Sequence, residues 1–99
     1  MIRHIVLFRL AATDAAGRAR DADGMRERLT ALLGVVPGLE RITVADDLGR
    51  VDGHWHVALV SEHSSYADLE AYQAHPEHVA AAAWISTVVD GRAIVDYEL

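Results

Sequence analysis

The chain has 99 residues, 52% of them apolar, and its 9 basic and 15 acidic residues give a formal net charge of -6. This length predicts one domain over residues 1–99 with a real core, and the absence of a basic stripe argues against nucleic acid or an anionic membrane surface as a partner. The lack of cysteine excludes disulfides and thiolate chemistry and suits a cytoplasmic protein, and no apolar run is long enough for a signal peptide or a membrane span.

A strand and a helix are predicted first. Met1 to Leu10 is rich in β-branched and large apolar residues, which favours a strand. The helix that follows starts at Asp14 or as late as Asp23. Its apolar stripe recurs at helical spacing through Met25, Leu29, Leu32, Leu33 and Val36. Gly34 and Pro37-Gly38 are expected to end it.

Three further segments alternate as strands. Leu39 to Asp46 is the second predicted strand, and a turn-rich loop over Asp47 to Gly53 follows it. His54 to Glu62 is the third strand. Asp90-Gly91 is expected to turn the chain into a last strand, Arg92 to Glu98.

Two helical segments meet at a proline between the third and last strands. Ser64 to Tyr72 predicts a helix with Ser65 as its cap. Pro76 forces an interruption, because proline lacks the helical donor and restricts the residue before it. His75 is therefore expected to cap a second helix that begins at Pro76 and runs toward Val88.

The order strand, helix, strand, strand, helix, strand predicts a ferredoxin-like α+β sandwich, with a four-stranded antiparallel sheet and helices on one face. Alternation along the strands makes both faces of this sheet apolar. The helices cover only one face, so the other needs a partner, and the simplest partner is the same face of a second subunit. The sequence therefore predicts a homodimer whose sheets pack together.

The face under the helices is expected to line a small-molecule pocket. Alternation assigns to it the apolar residues Val6, Phe8, Ala58, Val60 and Ile94. The same alternation places His4, His56 and Asp96 among them, and buried polar groups need a hydrogen-bond partner or a cavity. Tyr72 and His78, from the helix break, would complete a polar cluster at one end of an apolar pocket.

Five segments also carry a resemblance to a known family, in the order Ile2–Phe8, Val36–Gly38, His56–Val60, Tyr72–His78 and Val95–Tyr97. The family they resemble is the stress-responsive A/B barrel domain, or Dabb. The resemblance implies a ferredoxin-like dimer whose two sheets form a barrel. It also implies a kinship with plant polyketide cyclases, which close a ring by aldol condensation.

In the cyclase-like interpretation the motif Tyr-x-x-His-Pro-x-His supplies the chemistry, which here would come from Tyr72 and His78. The matching pocket residues would be His4, His56 and Asp96. The chain departs from the plant pattern where a long alkyl chain would bind, because its first helix is rich in Ala, Arg and Gly. The identity of the substrate is therefore not carried over.

Two interpretations of Tyr72 and His78 stay open. In the structural one, the tyrosine packs at a helix end and the histidine bonds a backbone carbonyl. In the functional one, His78 removes a proton from a carbon next to a carbonyl, Tyr72 donates a hydrogen bond to the enolate oxygen, and Asp96 orients an imidazole. The protein is then a cofactor-free enzyme of cyclase, isomerase or lyase type. A ligand-binding protein and a stress-associated structural dimer are the alternatives.

No cofactor or metal is expected. The pairs His54/His56 and His75/His78 have spacings that two metal ligands can use, but few carboxylates accompany them and no cysteine is present.

Overall fold

The computed structural model places seven elements in the predicted order, with the second helical segment divided in two. The elements are β1 (Ile2–Leu10), α1 (Ala15–Thr30), β2 (Leu39–Asp46), β3 (Val57–His63), α2 (Tyr66–Ala74), α3 (Pro76–Ile85) and β4 (Val89–Glu98). No helix is both long and apolar enough to cross a membrane.

The four strands form one antiparallel sheet in the order β2-β3-β1-β4. This arrangement confirms the predicted four-stranded antiparallel sheet of a ferredoxin-like fold. The apolar strand β1 is central and pairs with both β3 and β4, so β4 is an edge strand with one partner.

The helix caps follow the sequence signals. Asp14 caps α1, which confirms the earlier of the two predicted starts. Ser65 caps α2 through its hydroxyl, as predicted. The predicted cap on α3 is also confirmed, because Nδ1 of His75 accepts the Glu77 N–H at 3.1 Å while Pro76 occupies the first turn.

The first helix ends sooner than its apolar stripe indicated. α1 stops at Thr30 rather than running to Gly34, and the chain then tightens into turns in which the Leu32 N–H donates to the Leu29 carbonyl at 3.1 Å. Leu32 stays buried in this tighter turn, whereas Leu33 is 49% exposed. The apolar pattern therefore extends past the end of α1, because the turn that follows the helix still directs Leu32 into the core.

Other predicted boundaries shift by a few residues. α3 ends at Ile85, short of Val88. β4 then begins at Val89 instead of Arg92. β3 covers Val57–His63, three residues later at its start than predicted.

The predicted face assignment of β3 was wrong by one residue. Backbone pairing sets Val6 opposite Leu59, and it sets Leu7 opposite Ala58. Directly paired residues of antiparallel strands project from the same face. Leu59 therefore lies under the helices with Val6, while Ala58 and Val60 lie on the other side. Alternation within a strand does not fix this register, and a slip of one residue exchanges the faces.

The two sides of the sheet differ in what covers them. We call the side under the helices the covered face; on β1 it comprises His4, Val6, Phe8 and Leu10, all buried. The opposite side is the open face, and no helix packs over it. Its central strands contribute Ile5, Leu7, Ala58 and Val60.

Close packing of α1 against α3 holds the helix layer together. A Cβ atom on Gly24 would lie 2.4 Å from Cη2 of Trp84, so this position accepts only glycine without a shift. The guanidinium of Arg28 lies 3.7 Å from the centroid of the same indole ring, a cation-π contact that shields it from solvent.

Candidate functional site

A cavity of about 330 Å³ lies between the covered face and the helices. Its apolar lining consists of Val6, Phe8, Leu29, Leu59, Ala82, Ile85, Val89 and Ile94. Its polar lining consists of His4, Gln73, His78, Ser86, Asp90 and Arg92. Such an apolar surface with a few polar groups is typical of a small-molecule site.

His78 is held in one tautomer at the cavity wall. It stands in the first turn of α3, and its Nδ1 lies 3.2 Å from the carbonyl oxygen of Gln73. A carbonyl only accepts hydrogen bonds, so Nδ1 carries the proton and Nε2 keeps a lone pair in the neutral ring. Burial lowers the pKa of His78, the hydrogen bond to the Gln73 carbonyl opposes this shift, and the nearby side chains of His4 and Arg92 lower the pKa further. The ring is therefore a neutral proton acceptor near pH 7.

His4 is fixed by a carboxylate on the neighbouring strand. β1 and β4 pair His4 directly with Asp96, and Nδ1 of the imidazole contacts Oδ1 of the carboxylate. The imidazole is buried and lines the cavity, whereas the carboxylate is 31% exposed. Asp96 thus orients His4 and leaves the Nε2 atom of that ring free for another partner.

Tyr72 lies behind this wall and contacts two imidazoles. Its ring centroid is 4.4 Å from that of His78 and 4.7 Å from that of His63. The side chain is fully buried, and its hydroxyl has no hydrogen-bond partner. Burial raises the pKa of Tyr72 to about 12, so the phenol keeps its proton. An unpaired buried hydroxyl costs roughly 1–3 kcal/mol.

A buried pair on β3 was not anticipated from the sequence. Ser61 and His63 are both fully buried on the covered face, with Oγ of the serine 2.9 Å from Nε2 of the histidine. Nδ1 of His63 has no partner, and burial lowers the pKa of the ring. The correct register would have revealed the pair, because Val57, Leu59, Ser61 and His63 alternate on one face.

The structure brings together most of the predicted site residues and separates two of them. His4, Val6, Phe8 and His78 line the cavity, while Tyr72 and Asp96 contact the cavity imidazoles from behind.

His56 and Ala58 do not join this group. Nδ1 of His56 accepts the Leu10 N–H at 2.9 Å, so the ring caps the end of β1. Ala58 faces away with the rest of the open face. The placement of both residues in the pocket was wrong, because the register of β3 differs from the one that alternation indicated.

The histidines considered as metal ligands make other contacts. Nδ1 of His54 lies 3.1 Å from Oδ1 of Asp47 in an exposed turn, and His75 caps α3. The structure contains no group of three or more His, Asp or Glu side chains arranged to hold a metal ion.

Nearly the whole chain is similar to one known protein family. Residues 2–99 match the family profile described as the stress responsive A/B barrel domain, Dabb. A comparison with curated proteins found no match.

Solved structures share the fold over almost the full chain. A dimeric protein of unknown function with a ferredoxin-like fold, from Bacteroides fragilis, is 31% identical, with a TM-score of 0.89, 99% of this chain covered and 95% of the other. A dimeric ferredoxin-like protein of unknown function from Thermobifida fusca is 32% identical, with a TM-score of 0.82 and coverage of 99% and 90%. The hydroxynitrile lyase of Passiflora edulis, 22% identical with a TM-score of 0.79 and coverage of 97% and 90%, shares the fold.

Proposed function

This chain belongs to the stress responsive A/B barrel domain (Dabb) family, and from that premise we propose that it is a homodimer whose subunits each carry a cofactor-free acid-base site for a small carbonyl compound. The reaction class is that of a cyclase or lyase, in which a proton moves to or from a carbon or oxygen next to the bond that forms or breaks. We propose that the protein acts in the cytoplasm, because a chain without cysteine is compatible with that compartment.

The observation that carries the proposal is the state of His78. Its Nδ1 proton is directed at the Gln73 carbonyl, and its lowered pKa keeps Nε2 unprotonated at the wall of an apolar cavity. A general base needs its lone pair within reach of the substrate and a pKa near or below the working pH. In the proposed reaction Nε2 takes the proton from the carbon adjacent to the carbonyl, a contribution of about 10²–10⁴-fold in rate.

Tyr72 supplies the complementary donor. Its hydroxyl keeps its proton and has no partner within the chain, so it has an unused hydrogen bond to give. We assign that bond to the enolate oxygen that forms as the proton leaves, since a preorganised donor is worth about 10²–10³-fold when charge develops in a water-poor site. Tyr72 packs against the half-buried ring of His78, so the phenol stands beside the assigned base.

His4 has the supporting role. Asp96 fixes its ring, and its free Nε2 faces the same cavity. We assign His4 the task of orienting the substrate through a hydrogen bond at Nε2.

The dimer proposal rests on the open face. Leu7, Val95 and Tyr97 are 44%, 61% and 40% exposed, although they belong to a continuous apolar sheet surface. Two relatives more than 30% identical over nearly their full length are described as dimeric. Sedimentation at micromolar concentration should therefore give twice the chain mass, and a well-folded monomer would overturn this part of the proposal.

The alternative is a protein that binds a ligand without transforming it. The predominantly apolar lining of the cavity favours it, because such a lining holds a ligand whether or not chemistry follows.

Two substitutions separate enzyme from binder. His78→Gln and Tyr72→Phe should each abolish most turnover of a panel of β-polyketide thioesters, their free acids and cyanohydrins, followed by mass spectrometry. Ligand binding, followed by calorimetry, should change little. His54→Gln is the matched control, because that histidine lies in an exposed turn away from the cavity. Turnover that survives His78→Gln would refute the assigned base, and a parent chain that binds panel members without turnover would establish the binder.

A further inference from the structure

The cavity has a cationic end as well as an imidazole end. On β4 the residues Arg92, Ile94 and Asp96 follow one another along the covered face, because they pair with Phe8, Val6 and His4 in turn. The four-residue step from Arg92 to Asp96 spans roughly 13 Å at the usual rise of a strand. Arg92 therefore stands at the opposite end of the cavity floor from the His4–Asp96 pair.

The guanidinium of Arg92 has no counter-ion within the chain. Arg92 takes part in none of the ion pairs or side-chain hydrogen bonds of the structure, although it lines the cavity. The nearest acidic neighbour along the strand, Asp90, is held by Arg9. The Arg9 Nε atom lies 2.6 Å from Oδ1 of Asp90, and a second Arg9 nitrogen donates to the Asp90 carbonyl oxygen at 3.0 Å.

The surface between the two ends is apolar. Val6 and Ile94 lie side by side on the floor, and Ile85 closes the cavity from the helix layer. A ligand that fills the space thus meets a positive charge, an apolar stretch and two imidazoles in that order.

We propose that Arg92 is the specificity-determining residue of this site and that it binds the carboxylate of a ligand with an apolar body. The planar guanidinium fork matches a carboxylate with two parallel hydrogen bonds. Anchored at Arg92, the ligand lays its body over Val6 and presents its far end to His4 and His78. The substrate class is therefore a carboxylic acid whose reacting carbonyl is separated from the carboxylate by several carbons.

This inference rests on the proposed function and adds a coupling to it. The charge of Arg92 contributes to the lowered pKa of His78. A carboxylate bound at Arg92 neutralises that charge, so ligand binding should raise the pKa of His78 and strengthen it as a base.

The test compares a charged ligand series with its neutral counterpart. Hexanoate, octanoate and decanoate are titrated by calorimetry at pH 7.5 beside the corresponding amides, with the wild-type protein and with Arg92→Gln, Arg92→Lys and Arg50→Gln. The last variant removes the same charge from an exposed loop residue outside the cavity. Thermal unfolding confirms that each variant is folded.

The wild type should prefer the best carboxylate over its amide by about tenfold or more, the usual strength of a charge-assisted hydrogen bond. Arg92→Gln should remove this preference by weakening carboxylate binding about tenfold while amide binding stays the same. Arg92→Lys should keep part of the preference, and Arg50→Gln should keep all of it.

The other outcomes distinguish failure of the anion site from failure of the proposed function. Equal affinity for carboxylates and amides in the wild type overturns the anion site and leaves the proposed function standing. A preference that survives Arg92→Gln also overturns it. Octyl phosphate is titrated beside octanoate, and tighter binding of the phosphate reassigns the anion to a phosphate and overturns the carboxylate class. Binding of no member of either series overturns the inference together with the small-molecule pocket.

Discussion

The two faces of the sheet each depart from the usual distribution of polar and apolar groups. The covered face buries His4, Ser61 and His63, of which His63 leaves one ring nitrogen without a partner. The open face exposes large apolar side chains such as Leu7 and Val95. Buried polar groups cost free energy unless they are paired, and an exposed apolar surface is stabilised when it is covered. The difference supports the proposed ligand site on the covered face and the proposed dimer interface on the open face.

Substitutions at two adjacent residues of β1 should show the largest difference between the two faces. Val6→Asp places a carboxylate in the core of the covered face, where an unpaired charge costs several kcal/mol, so the domain should fail to fold. Leu7→Asp places the same charge on the open face, and the chain should remain folded as a monomer. Circular dichroism and sedimentation measure the two outcomes. A folded dimer of Leu7→Asp would show that the open face is not the interface.

The helix layer that makes one face covered depends on Gly24. In an exposed helix, Gly→Ala stabilises by roughly 0.5–1 kcal/mol. Here the added methyl would collide with Trp84, so Gly24→Ala should lower the free energy of unfolding by about 1–3 kcal/mol in urea titrations. Adding Trp84→Phe should recover part of the loss. A Gly24→Ala variant as stable as the wild type would mean that α1 and α3 are less closely packed.

Removing the unpaired hydroxyl of Tyr72 should affect the proposed activity and the stability of the fold differently. Because the hydroxyl has no partner, Tyr72→Phe should leave the free energy of unfolding unchanged or raise it by about 1 kcal/mol, while the proposed activity falls. Tyr66→Phe, at an exposed tyrosine, is the matched control. A clear loss of stability in Tyr72→Phe would show that the hydroxyl serves the fold.

The smallest expected effect is a pH dependence from the buried histidines. Burial lowers the pKa values of His63 and His78 below 6.5, so the unfolded chain binds more protons than the folded one as the pH falls below that value. Their contribution to stability is therefore present above pH 6.5 and lost on acidification. His63→Gln, which can keep the bond to Ser61, should make the urea midpoint less sensitive between pH 7 and 5. The wild type is the reference, and equal slopes for the wild type and His63→Gln would contradict this prediction.

The sequence predicted local features well and long-range register poorly. Ser65 and His75 are caps because of chemistry within two or three residues, so their prediction needed no tertiary information. The element order followed from periodicity and turn signals in the same way. The position of Ala58 depended on which β1 residue faces which β3 residue, a non-local property that a strand apolar on both faces does not encode.

The same difference between local signals and non-local register explains which site residues could be predicted. Tyr72, His78 and the His4–Asp96 pair were predicted to lie close together because each is a polar group in an apolar context or part of a recognisable motif, and the structure brings them into contact. The Ser61–His63 pair was missed because the predicted register placed those positions on the other face, and His63 also lies beyond the predicted end of β3. Arg92 could be placed on the sheet, but its lack of a counter-ion depends on the Arg9–Asp90 pair, which only the fold reveals.

The central claim is that His78 presents an unprotonated Nε2 to the cavity at neutral pH, and long-range ¹H–¹⁵N NMR of the histidine rings tests it directly. Assigned through the His78→Gln variant, the ring should carry its proton on Nδ1, as the Gln73 carbonyl requires, and titrate below the ordinary histidine pKa of 6.5. A ring that carries its proton on Nε2, or that is already charged at pH 7, would contradict the account.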